Sequence, residues 1–81
     1  MDLKKVMEKM DESSQDYFMP RRVKIILKNV GEELNREDQD LAVRVTSAVY
    51  RIEEVANDIN IPMHAKTALW NIISDLEALK E

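Results

Sequence analysis

One histidine, sixteen carboxylates and twelve Lys/Arg are the groups through which this 81-residue chain could do chemistry. His64 is the lone imidazole, which excludes a histidine-rich metal site. Its place just behind Pro62 puts it in the first turn of a helix, where the positive dipole end disfavours the imidazolium. It could act as a base with Asp58 or Glu54. No nucleophile stands at a recognisable spacing from it, so His64 is expected to bridge loops by hydrogen bonding. Two carboxylate groups, Glu53-Glu54-Asp58 and Glu37-Asp38-Asp40, could attract a hard cation. Neither has the spaced oxygen ligands and turn glycine of a calcium loop, and the Glu-x-x-His pair of di-iron bundles is missing. They are expected to be solvated helix surface. No catalytic residue, metal site or cofactor is therefore expected, and the chain reads as non-enzymatic.

Two other constellations point to binding. Arg21, Lys24 and Lys28 recur at i, i+3, i+7 on a helical face turned away from Val23 and Leu27, with Arg22 to one side. Lys4, Lys5 and Lys9 would add to this basic field if the first helix lies alongside. Such a stripe could dock phosphates or an acidic partner, although it lacks the interleaved aromatics that stack single-stranded bases; a solvated face is the alternative. Tyr50 and Val43 point almost opposite the apolar stripe of their helix, and Trp70 lies about 120° from the centre of its own. Aromatics anchor interfaces because they bury much area at low entropic cost. The expected interface is therefore Val43, Tyr50 and Trp70, rimmed by Arg44, Arg51 and Lys66. The competing reading has the third helix buried on two sides and Trp70 covering a hairpin edge.

Composition bounds these readings. The chain is long enough for one domain, residues 1–81, with a small core. It is 44% hydrophobic and 35% charged, with one Gly and two Pro, which suits a folded helical domain. It has no cysteine, no run long enough to span a membrane and no apolar signal region, so a cytoplasmic protein without membrane contact is expected. The net charge of −4 disfavours bulk nucleic-acid binding. That charge is uneven. Residues 1–36 carry eight Lys/Arg against seven Asp/Glu, and residues 37–81 carry four against nine. Any polyanion site belongs to the first half. The expected partner is a protein or a second copy of the chain; an accessory nucleic-acid role for Arg21, Lys24 and Lys28 is the alternative.

Four amphipathic stretches must position these groups. Leu3, Val6, Met7 and Met10 form the first stripe; Val23, Ile26, Leu27, Val30 and Leu34 the second. The third runs Leu41, Val45, Ala48, Val49, Ile52, Val55, Ala56, Ile59, and the fourth Ala65, Leu69, Ile72, Ile73, Leu76, Leu79. Met7, Met10 and Met19 read as gap-filling core. Pro20 and Pro62 mark helix starts, where a missing N–H costs nothing. Ser13 and Ser14 open the first loop, with Gln15–Phe18 able to extend the first helix. Gly31 is expected to weaken the second helix. Asn35 is expected to N-cap the third, with Asp38 and Asp40 in its first turn, and Asn57–Asn60 to end it.

The two prolines lie 62 − 20 = 42 residues apart, and the chain echoes itself at that spacing. Glu12/Glu54, Asp16/Asp58, Pro20/Pro62, Lys24/Lys66, Leu27/Leu69, Asn29/Asn71 and Leu34/Leu76 are identities. Internal duplication or merely shared helical periodicity would produce this pattern. Either way the unit is helix, X-Pro loop, helix, used twice, with the length of a HEAT-type hairpin. Asp40-Leu41-Ala42-Val43-Arg44 also resembles the D-x-x-V-R core of a HEAT helix. Two units are too few for a solenoid, so the hairpins are expected to close on one another as an all-α, up-and-down four-helix bundle.

The chain also resembles an archaeal group, uncharacterised protein family 0147. The resemblance rests on Pro20-Arg21-x-Val23-Lys24, Asp40-Leu41-Ala42-Val43-Arg44, Asn57-Asp58-x-Asn60-x-Pro62-Met63-His64-Ala65-Lys66-Thr67 and Trp70. Ile59 departs from a pattern that often has another proline there. The resemblance implies a small helical bundle and carries over no activity and no functional residue.

Overall fold

A computed structural model describes residues 2–79 and folds them into four helices: α1 (Leu3–Ser14), α2 (Arg21–Leu34), α3 (Leu41–Ala56) and α4 (Met63–Leu79). Neighbours in sequence are neighbours in space, and α4 returns to lie beside α1, so the helices form the ring of an up-and-down bundle. The apolar stripes meet in the middle. Val6 and Met10 of α1, Val23, Leu27, Val30 and Leu34 of α2, Val45, Ala48 and Ile52 of α3, and Ala65, Leu69, Ile72 and Leu76 of α4 are all buried in one cluster. Among the described residues no polar or charged residue is buried. The driving force is therefore burial of aliphatic surface, at about 25 cal/mol per Å².

Each helix end has a local cause. The Asp2 carboxylate accepts the Lys5 N–H at 2.9 Å and caps α1. All three connections, residues 15–20, 35–40 and 57–62, are six residues long. The first and third are built alike. The Asp16 carboxylate accepts the Phe18 N–H at 3.0 Å, and the Asp58 carboxylate accepts the Asn60 N–H at 2.8 Å. Three residues after each Asp comes a buried apolar side chain, Met19 or Ile61, whose N–H donates back to the Asp carbonyl. Then comes the proline, whose carbonyl accepts the first N–H groups of the next helix. The 42-residue echo is thus a repeated turn geometry.

Local expectations are corrected at three places. Ser13 and Ser14 do not open the first loop but form the last turn of α1, and the helix stops before Gln15–Phe18 because the Asp16 side chain competes for the backbone and closes a turn there instead. Gly31 does not weaken α2, which continues to Leu34; Val30 and Leu34 are both buried, and that packing outweighs the glycine's poor helix propensity. Asn35 does not cap α3. Its N–H donates to the Gly31 and Glu32 carbonyls, making it the end of α2, and Asp40 precedes α3.

Candidate functional site

His64, the one imidazole, sits at the start of α4 with its Nε2 3.0 Å from the Phe18 carbonyl oxygen. That contact joins the first turn to the third and agrees with a loop-bridging role. Asp58, its suggested partner, is engaged elsewhere: it pairs with Arg22 of α2. The Asn60 N–H, helped by the Arg22 charge, holds the Asp58 carboxyl below its ordinary range. In the other acidic group, Asp38 is paired with Arg36 at 2.6 Å, and the hydrogen bond from Arg36 depresses its pKa.

The basic residues divide into two kinds. Arg44 and Lys66 hold the backbone. Arg44, the fourth residue of α3, donates from Nη1 to the carbonyl of Leu34, the last residue of α2, at 2.7 Å. Lys66, the fourth residue of α4, donates from Nζ to the carbonyls of Ala56 and Asp58 at 3.0 and 2.6 Å. A cation suits these sites because the last turn of a helix leaves carbonyls unpaired and concentrates negative dipole there. Lys24 is the fourth residue of α2 and occupies the matching place behind the first turn, yet it makes no side-chain hydrogen bond or ion pair among the described residues. Neither do Arg21 and Lys28.

These three free cations line a groove between α1 and α2 of about 470 Å³. Met7, Met10, Ile25 and Leu27 supply its apolar wall, Gly31 closes one end, and Asp11, Ser14 and Gln15 flank the other side. The groove has a simple origin. In the 42-residue register Gly31 corresponds to Ile73 and Met7 to Val49. Ile73 and Val49 are buried in the second hairpin, whereas a Cβ added to Gly31 would meet nothing within 4 Å. The stripe was legible in the sequence. The groove was missed, because the single glycine looked like a helix defect; its coincidence with the stripe was the available signal.

The aromatic face is assembled in part. Val43 is 54% and Tyr50 71% exposed, and both line a shallow depression on the outer side of α3 with Ala42, Thr46, Ser47 and Arg51. Trp70, 43% exposed, is not part of that lining. It lies one turn beyond Lys66 on the same face of α4, the side that reaches toward α3. Trp70 therefore sits by the α3/α4 seam. Of the expected rim, Arg44 and Lys66 are engaged with helix ends, and Arg51 pairs with Glu33 of α2. The turn tips add further open apolar residues, Tyr17 and Phe18 on the first and Ile59 on the third, with Met63 at the start of α4. Tyr17 and Phe18 stack edge to face at 5.3 Å.

Comparison with known proteins places this architecture. A protein-family model described as uncharacterised protein family UPF0147 matches residues 1–79. A UPF0147 protein of Methanothermobacter thermautotrophicus is 37% identical over 67 residues, 83% of this chain and 66% of that one. Another, from Thermoplasma acidophilum, is 38% identical over 76 residues, 94% of this chain and 86% of that one. A crystal structure of a UPF0147 protein from the same organism superposes with a TM-score of 0.89 at 38% identity, covering 94% of this chain and 89% of the other. A second, of a protein of unknown function, gives 0.88 at 32% identity, covering 98% and 90%. Model, relatives and structures agree on one assignment: the chain belongs to the uncharacterised protein family UPF0147.

Proposed function

We propose that the protein is a non-enzymatic, cytoplasmic interaction module that works by binding another protein, a second copy of itself among the partners. The observation that carries this reading is Tyr50. The core closes without it, yet it stands open beside Val43 on the outer face of α3. Large aromatics left open on a finished bundle are costly in solubility and useful as anchors. No helix among the described residues is long and apolar enough to cross a membrane, and among them no three His, Cys, Asp or Glu side chains gather where they could hold a metal ion. Sedimentation velocity across a wide concentration range tests the self-associating form. A dimer that a Val43→Ser/Tyr50→Ser double variant dissociates supports it; wild-type monomer at every concentration refutes it.

A further inference from the structure

We propose that the α1/α2 groove is a docking site for an acidic amphipathic helix of a partner protein. This refines the reading of the protein as an interaction module and uses a surface separate from the Tyr50 face. The case begins with charge. The molecule carries −4 overall, yet the groove presents Arg21, Lys24 and Lys28 against the single carboxylate of Asp11. That carboxylate is already engaged by the Gln15 side chain at 3.1 Å. Most other cations among the described residues are used internally: Lys66 and Arg44 on helix ends, and Lys9, Arg22, Arg36 and Arg51 in ion pairs, which leaves Lys4 and Lys5 on the exposed side of α1. The groove's three have no intramolecular partner among the described residues, so complementarity must come from outside.

Shape narrows the occupant. The lining runs from Arg21 to Gly31 along α2, about 15 Å at 1.5 Å per residue. That is roughly three turns of a docked helix, more than a compact anion would fill. The groove is apolar along this length, with Met7 and Ile25 partly open on its walls and the buried Leu27 beneath them. Methionine and branched aliphatics receive the apolar face of a helix, whereas a nucleic-acid backbone would gain nothing from them and would find no aromatic platform. Gly31 fits the same purpose. Its backbone is not in the left-handed region and a Cβ there would meet nothing, so nothing within the chain requires glycine. Its missing side chain instead lets a partner approach the α2 backbone, whereas the corresponding residue of the second hairpin, Ile73, carries a buried side chain.

The test is an NMR titration of the full-length ¹⁵N-labelled protein with three designed helical peptides of about five turns. One has a Leu/Ala face flanked by Glu, one has the same face flanked by Lys, and one has the Glu composition scrambled to destroy the face. An RNA oligonucleotide forms the fourth arm. The expected result is amide shifts centred on Met7, Ile25 and Gly31 with the first peptide alone, saturating at about 10–200 μM and weakening several-fold at about 0.5 M salt. Lys24→Glu/Lys28→Glu should weaken binding at least about tenfold. Gly31→Leu should abolish it while the rest of the spectrum and the thermal midpoint show a folded bundle. Absence of groove shifts with the acidic amphipathic peptide at about 1 mM, equal shifts with the scrambled peptide, or preferential binding of the RNA would each overturn the proposal. Sedimentation of the Tyr50 face reads separately, so failure of the groove leaves that result standing, and the reverse.

Discussion

The two hairpins share a turn and differ in what stands behind it. In each, an aspartate closes the turn, an apolar residue plugs it, a proline starts the next helix and a lysine follows four residues later. In the second hairpin Lys66 reaches back to the carbonyls of Ala56, at the end of α3, and Asp58, in the turn after it, and Val49 and Ile73 are buried. In the first, Lys24 has no such partner, and Met7 and Gly31 stand in the matching places along an open groove. One hairpin has put its residues to work holding itself together. The other keeps the same backbone plan and leaves Arg21, Lys24, Lys28 and its seam available.

Four substitutions would break or sharpen this contrast, and the largest effect belongs to the filled seam. Ile73→Ala removes a buried side chain and should cost about 2–4 kcal/mol in urea denaturation; a loss below about 1 kcal/mol would mean the seam is not filled as described. Next comes the lysine pair. Lys66→Met deletes two charge-assisted hydrogen bonds, one to the end of α3 and one to the turn after it, and should cost about 1.5–3 kcal/mol. Lys24→Met should stay within about 0.5 kcal/mol of wild type, because nothing within the chain is lost. Equal losses at the two lysines would erase the distinction between the hairpins.

The third turn also carries an acid-sensitive contact. Asp58 is held below the ordinary carboxylate range by the Asn60 N–H and by Arg22. A carboxylate whose folded pKa is depressed contributes stability above its unfolded pKa of about 3.9 and loses it as pH falls through the lower folded value. Denaturant midpoints of wild type and Asp58→Ala should therefore differ by a constant amount from neutral pH down to the unfolded carboxylate pKa, then converge in acid. A gap that persists unchanged to the lowest pH would assign the contribution to the turn's shape instead of its charge.

Helix positions and the repeated turn were legible in the sequence, because period-3.6 stripes and X-Pro boundaries follow from local sterics and burial. His64 was legible too, by elimination. The α2–α3 connection was less so. Asn35 is a good capping residue by type, but buried Leu34 carries α2 up to it, and whether a residue closes one helix or opens the next is decided by that packing. The roles of Arg44 and Lys66 were hidden for a similar reason. Each reaches a carbonyl ten residues earlier, a distance set by the six-residue turn and invisible to a helical wheel. The groove was legible only as its basic edge; the absence of a side chain leaves no periodic signal.

Gly31 gives the smallest change in stability that is expected to differ from zero, and the sharpest reading of the contrast. In a helix interior glycine is less favourable than alanine by about 0.5–1 kcal/mol, through backbone entropy. Where a new Cβ would collide, that gain is lost. At Gly31 it would meet nothing, so Gly31→Ala should stabilise the isolated protein by about that amount, seen as a rise in the urea midpoint at unchanged slope. A destabilised variant would show the α1/α2 seam to be closed around the glycine, as the α3/α4 seam is closed around Ile73. A stabilised one would show that the fold alone gains nothing from a glycine there, which leaves the open groove as the reason for it.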